Sequence, residues 1–145
     1  MDSKWLALLV VGVLLVAGYI VQPVVVLGIQ GSIPGVVPVI PRGEDVVIEA
    51  SCFYLHPIPF IDDCCYLVQI YKVENGEDKL VWTSSTMPCL PCAEPCWYKN
   101  FHDVIRWNQI GNVEPYTDKY PGDGVYKVVL QLCTKERVVF FEIRG

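Results

Sequence analysis

Seven cysteines carry the most distinctive chemistry in this sequence of 145 residues. They are Cys52, Cys64, Cys65, Cys89, Cys92, Cys96 and Cys133. Three of them fall in the short run Met87–Trp97, and each of those three directly follows a proline. Cysteines at a C-x-x-C spacing bind zinc or iron as thiolates, whereas the cysteines of exported proteins pair as disulfides. The spacing therefore leaves two chemistries open, a metal or thiol-redox site and a disulfide framework.

The prolines of this run favour disulfides over a metal site. As a metal site, Cys89, Cys92 and Cys96 would supply three thiolates, and a fourth ligand would come from Cys64, Cys65, His56 or His102. A thiolate knuckle is stabilised by backbone N–H groups two and three residues after its first cysteine, and Pro91 has no N–H. We expect disulfides and no bound cofactor, with the Cys89/Cys92/Cys96 metal or thiol-redox domain as an alternative. Because seven is odd, one thiol stays free or links two chains.

Catalytic motifs are missing from the sequence. The two histidines, His56 and His102, are not set in any nucleophile pattern, and His102 is a sequence neighbour of Asp103. The sequence contains no glycine-rich phosphate loop, no G-x-S-x-G and no H-E-x-x-H. We therefore predict that the protein is not an enzyme.

The chain begins with an apolar segment. Trp5–Val21 is 17 residues of almost pure hydrocarbon, and no charged residue occurs from Trp5 to Pro41. A helix of that length reaches about 26 Å, close to the ~30 Å core of a bilayer. We expect residues 1–21 to be a signal anchor or a signal peptide that contacts the membrane through residues 5–21. Lys4 on the short side predicts that the rest of the chain faces outside.

Two locations follow from this segment. The protein is held at the cell membrane if the segment is retained, and it is secreted or held at the cell surface if the segment is cleaved before Tyr19. The net charge of −5 and the lack of a basic patch exclude a nucleic-acid partner.

Residues 22–41 form an apolar segment rich in proline and glycine. They are predicted to be an extended linker with short extended pieces at Val24–Leu27 and Val36–Ile40, and its second half is expected to supply the first strand of the domain. A second interpretation is a donor strand inserted into a neighbouring subunit, which would make the protein a subunit of an extracellular filament or envelope.

Residues 42–145 have the period-two pattern of β-strands. Asn75-Gly76 predicts a tight hairpin turn, and Asn100–Trp107 is the one segment predicted to be helical. The predicted strands are Asp45–Phe53, Tyr66–Val73, Lys79–Thr83, Val125–Cys133 and Arg137–Arg144. This spacing predicts an all-β fold, a sandwich of two antiparallel sheets behind the N-terminal hydrophobic helix.

The C-terminal part resembles the secreted immunoglobulin-like modules of prokaryotes, including those of flagellar hook-capping proteins and surface-protein repeats. The matching residues are Trp107-Asn108, Gly111 and Gly124-Val125-Tyr126-Lys127-Val128, in the pattern W-[DN]-x-x-[DGN] … G-x-Y-x-V. The resemblance implies an immunoglobulin-like antiparallel β-sandwich with a binding or structural role and no activity. The chain departs from antibody-type domains at Cys133, whose parity is outward, so a Cys52–Cys133 core disulfide is not expected.

Aromatic side chains in loops give the main indication of function. Tyr and Trp held in rigid loops are typical of recognition surfaces. The candidates are Tyr54, Phe60, Trp97, Tyr98 and Trp107. We therefore expect a module that binds a protein partner or self-associates.

Overall fold

The computed structural model describes residues 2–21, 24–53, 66–84, 100–132 and 135–145. Within these ranges, one helix, α1 (Ser3–Val21), precedes eight strands. The strands are β1 (Val24–Ile29), β2 (Val39–Pro41), β3 (Val46–Phe53), β4 (Tyr66–Glu74), β5 (Glu77–Thr83), β6 (Phe101–Trp107), β7 (Gly124–Leu132) and β8 (Lys135–Arg144). They form a three-stranded sheet of order β1-β3-β6 and a five-stranded sheet of order β2-β8-β7-β4-β5. The chain is mostly β-strand and has two sheets, as the sequence predicts.

Alternating side chains explain why these segments are strands. In β3 the residues Val46, Ile48, Ala50 and Cys52 are buried while Glu49 between them is exposed. The hairpin of β4 and β5 turns at Asn75-Gly76, where both residues have positive φ, 51° and 77°. Both central positions of a tight primed turn need that conformation, and the Asn-Gly pair predicted this turn for that reason.

Three aromatic rings pack against one another in the core between the two sheets. Tyr126 and Phe141 stack with ring centroids 5.3 Å apart, and Trp107 lies 5.5 Å from Tyr126. All three are almost completely buried. The hydroxyl of Tyr126 donates a hydrogen bond to the carbonyl of Gly122 at 2.5 Å, so its polar end is satisfied.

The helix predicted at Asn100–Trp107 is wrong. Residues Phe101–Trp107 form β6, an edge strand that pairs antiparallel with β3 from Cys52↔Phe101 to Val46↔Trp107. Its exposed and less exposed residues alternate along its length. The positions of Phe101, Val104 and Ile105 fit a helical face in isolation, but pairing with β3 buries Trp107, and that requires a period of two.

The first half of the apolar segment 22–41 supplies the first strand, β1, and its second half supplies β2, so the prediction that the second half forms the first strand is wrong. β1 pairs antiparallel with β3 from Val24↔Phe53 to Ile29↔Ile48, and its Val25 and Ile29 side chains are buried in the core. Two residues, 22 and 23, separate β1 from α1. Within the ranges described above, no helix qualifies by length and apolarity as a candidate membrane span.

The strand register gives the sandwich two ends. At what we term the proximal end, β1 and β6 begin and β3 ends, and the stacked rings of Tyr66 and Phe101 join the two sheets at 4.2 Å. At the distal end, β6 ends and β7 begins, where Trp107 meets Tyr126. The chain therefore passes from α1 into the sandwich at the proximal end, where β1 begins.

Candidate functional site

Cys52 is the one cysteine within the described residues. It lies at the proximal end of β3 with 2% of its surface exposed, and its thiol is free. Burial raises the pKa of this thiol, and the positive charge of Lys135 only partly offsets that effect. Cys52 therefore stays protonated and has the properties of a small core residue rather than of a nucleophile.

The other cysteine predictions lie outside the described residues. Cys64, Cys65, Cys89, Cys92, Cys96 and Cys133 belong to residues 54–65, 85–99 and 133–134, as does His56. Their pairing therefore stays a prediction. Over the part of the chain that the structure describes, no group of three His, Cys, Asp or Glu side chains is arranged to hold a metal ion.

The binding-loop prediction is wrong for Trp107. Its side chain is 1% exposed, at the end of β6, and its indole N–H donates to the carbonyl of Ile110 at 2.8 Å. A residue with this burial and a satisfied N–H is a core residue. The remaining candidates, Tyr54, Phe60, Trp97 and Tyr98, lie outside the described residues.

The sequence pattern that carried the family resemblance has structural roles here. Asn108 accepts a hydrogen bond from the backbone N–H of Ile110 at 3.1 Å. Gly111 lies where a Cβ atom would come within 2.4 Å of the Tyr116 carbonyl oxygen and 2.9 Å of the Val81 carbonyl oxygen. No side chain fits that position, so glycine is required by close backbone packing. Asn108 and Gly111 therefore shape the turn after β6.

A polar cluster at the distal end joins residues far apart in sequence. Asp123 accepts two hydrogen bonds from the Arg42 guanidinium, at 3.0 and 2.6 Å, one from the Tyr120 hydroxyl, and one from the Gly145 backbone N–H at 3.0 Å. The Arg42 guanidinium also lies 5.7 Å from the centre of the Tyr120 ring. Hydrogen bonds from Arg42 and then Tyr120 hold the pKa of Asp123 far below its usual range. Both oxygens of the carboxylate accept hydrogen bonds, so Asp123 holds Arg42, Tyr120 and Gly145 together and does not act as a base. We call this group the Arg42–Asp123 clamp.

Gln109 is a second polar residue that the sequence did not single out. It is 1% exposed and adopts φ 66°. Its amide donates to the carbonyls of Pro41 and Glu44 at 2.9 and 2.7 Å and accepts from the N–H of Gly43 at 2.9 Å. These three bonds fasten the turn between β2 and β3 to the end of β6. A separation of more than 60 residues hides such a contact from any local pattern.

Lys72 is the buried cation of the five-stranded sheet. It is 7% exposed, and its ammonium donates to the Pro121 carbonyl at 2.8 Å and forms an ion pair with Glu74 at 2.6 Å. Lys79 binds the other oxygen of Glu74 at 3.1 Å. The pKa of Glu74 is lowered by these two lysines, so this group also serves structure.

An apolar groove lies on the surface of the described residues. It has a volume of about 350 Å³ and lies between the segment 27–38 and β8. Ile33 and Val36 on its rim are 68% and 59% exposed, and Phe140 on its other side is 45% exposed. The lining of the groove contains no charged side chain, so the groove suits binding of an apolar surface.

Comparisons with known proteins give little guidance. No family model and no curated protein matches the chain. Among solved structures, it is similar to β-glucosidase from Listeria innocua in complex with isofagomine, at 11% identity and a TM-score of 0.47. The complexes with glucose and with gluconolactone give 10% and 13% identity and TM-scores of 0.45 and 0.46. Each match covers 86% of this chain and 16% of the other. At these scores the likeness assigns neither a family nor an activity.

Proposed function

We propose that this chain is an immunoglobulin-like module held at the outer face of the cell membrane by α1, where it binds a protein partner. One observation carries the proposal. Every α1 side chain from Ser3 to Ala17 is exposed, including Trp5 at 67% and Leu15 at 70%, and none after Lys4 is charged. A helix that is apolar on all sides needs an apolar environment, and the acyl chains of a bilayer provide one.

The strand order supports the immunoglobulin-like part of the proposal. A sheet β1-β3-β6 facing a sheet β2-β8-β7-β4-β5 corresponds to strands A-B-E facing A′-G-F-C-C′. β2 pairs parallel with β8, as an A′ strand does with G. The hydrogen bond from Tyr126 near the start of β7 to Gly122 corresponds to the tyrosine corner at the start of strand F.

The described polar groups favour binding over chemistry. Asp123, Gln109 and Lys72 are each engaged by hydrogen bonds or ion pairs within the fold. The exposed apolar groove between residues 27–38 and β8 is the surface we assign to the partner. The filament alternative has less support, because β1 already pairs within its own sheet and is not free for donation.

Membrane attachment is tested by extraction. Full-length protein is expressed in a bacterial host, and membranes are washed with alkaline carbonate. We expect the wild type to stay in the membrane pellet and Leu9→Lys/Val13→Lys to be released, because two charges in the apolar segment oppose insertion. Val36→Lys, at the exposed rim of the groove, is the matched control and stays in the pellet. Full-length wild type in the soluble cytoplasmic fraction would overturn the proposal.

The intact mass of the same protein, measured with and without alkylation, tests the remaining expectations. A full-length mass indicates a retained anchor, and a mass that lacks about the first 18 residues indicates a cleaved signal. Disulfides among the cysteines beyond the described residues remove two protons each. Alkylation of those thiols without reduction would instead favour the metal or thiol-redox alternative.

A further inference from the structure

We propose that Val24 and Phe53 form a lipid-contacting pair that lies in the headgroup region of the membrane next to α1. This inference rests on the membrane attachment proposed above. It adds a second contact between protein and lipid, made by the sandwich itself.

The two side chains lie side by side on the outer face of the three-stranded sheet. Val24 and Phe53 are register partners of β1 and β3. Directly opposed residues of an antiparallel pair project their side chains from the same face, about 5 Å apart. They are 57% and 58% exposed, whereas their neighbours Val25 and Cys52 point into the core. An exposed phenylalanine beside an exposed valine is an apolar surface that no other described residue of the sandwich covers.

The short connection to α1 limits how far this pair can lie from the membrane. The 19 residues of α1 extend about 28 Å, close to the ~30 Å hydrocarbon core. Three peptide units join Val21 to Val24, so their Cα atoms are at most about 11 Å apart. Each headgroup region is roughly 5–7 Å thick. Val24 therefore lies in or just beyond the headgroup region when α1 is embedded.

Charged side chains appear along the same face only at a distance from α1. Val24 and Phe53 form the row at the proximal end. The rows beyond it contain, in order, Val26 with Ser51 and His102, Gly28 with Glu49 and Val104, and Val47 with Arg106. Successive rows are about 6.7 Å apart, so the first charge lies about 13 Å further out. Apolar residues near the lipid and charges beyond it are the order that a membrane interface selects.

Photo-crosslinking in reconstituted vesicles tests the inference. p-Benzoyl-phenylalanine replaces one residue of the full-length chain at a time, in vesicles of phosphatidylcholine and phosphatidylglycerol. The positions are Phe53, Val104 on the same face two rows further out and 49% exposed, and Val10 in α1. Near-UV circular dichroism of the buried aromatic cluster confirms that each variant is folded. We expect lipid adducts at 10 and 53, with a yield at 53 several-fold above that at 104.

The three positions separate this inference from the one on which it rests. Adducts at 10 without adducts at 53 overturn the lipid contact of the sandwich and leave membrane attachment standing. Equal yields at 53 and 104 also overturn it, because they mean that the whole face meets lipid without preference. An absence of adducts at 10 overturns membrane attachment, and the contact of Phe53 falls with it.

Discussion

Replacement of Gln109 by leucine is expected to destabilise the sandwich. Among the polar residues described above, no other exchange for an apolar side chain of similar size is expected to cost as much. Leucine fills a similar volume and is as unfavourable as glutamine at φ 66°, so the backbone strain stays the same. The change in stability therefore reports the loss of the hydrogen bonds alone. Three bonds disappear, to Pro41, Gly43 and Glu44. At about 1 kcal/mol net for each bond, the loss is about 3 kcal/mol.

Water reduces this figure somewhat. Pro41, Gly43 and Glu44 belong to an exposed turn, so solvent can reach part of the freed backbone. We expect a loss of about 2–3 kcal/mol, which for a domain of this size lowers Tm by roughly 10 °C. The measurement is thermal unfolding of the full-length protein in detergent, followed by near-UV circular dichroism. Asn108→Ala is the matched control, since Asn108 is adjacent and exposed and makes one bond, and it should cost less than about 1 kcal/mol.

Gln109→Glu separates the donor role from the acceptor role. The carboxylate still accepts from Gly43, but it faces the Pro41 and Glu44 carbonyl oxygens without a proton to donate. A protonated carboxyl can donate to one of them, so the pKa of the introduced group should be raised. Its deficit in stability should then shrink as the pH falls from about 7 to about 5, while that of Gln109→Leu should not. A loss below about 1 kcal/mol for leucine, or a deficit of the glutamate variant independent of pH, would refute the reasoning.

Three further predictions concern the turn after β6 and the distal end. Gly111→Ala should lower the free energy of unfolding by about 1–3 kcal/mol, because the new methyl group meets fixed backbone oxygens. Gly28→Ala is the control, since Gly28 has open space around it, and the urea midpoints of the two variants are compared. Tyr126→Phe should cost about 1 kcal/mol in the same assay, and an unchanged midpoint would show that the hydrogen bond to the loop contributes nothing. Because the pKa of Asp123 is lowered in the folded state, the Arg42–Asp123 clamp stabilises above the unfolded pKa of about 3.8 and is lost as the pH falls below it. The Tm of the wild type should therefore drop more steeply in acid than that of Asp123→Asn, and parallel curves would contradict this.

The strands could be predicted from the sequence because they are encoded locally. The buried side of β3 alternates without interruption, and Asn75-Gly76 marks the turn between β4 and β5 regardless of the rest of the chain. The segment 101–107 could not be assigned in this way. Its apolar spacing fits two periods, and the choice depends on β3, about 50 residues earlier, which offers it an edge.

The candidate site was harder to predict because its contacts are distant in sequence. Trp107 is among the predicted binding-loop aromatics, yet it ends a strand and its side chain is buried in the core. Arg42 and Asp123 are 81 residues apart, and only the topology brings them together. An isolated glutamine beside a core tryptophan was the one available signal for Gln109, and by itself it is too common to decide anything.

The direct passage from α1 into β1 has a mechanical consequence. A pull on α1 reaches Val24 after two residues, while β8 leaves the sandwich at the distal end. Tension between these points runs along β1, perpendicular to the hydrogen bonds of its ladder, and loads all six register pairs with β3 in shear at once. The strand would yield in a single step rather than peel residue by residue, so the module should resist brief forces at its attachment and release abruptly above a threshold.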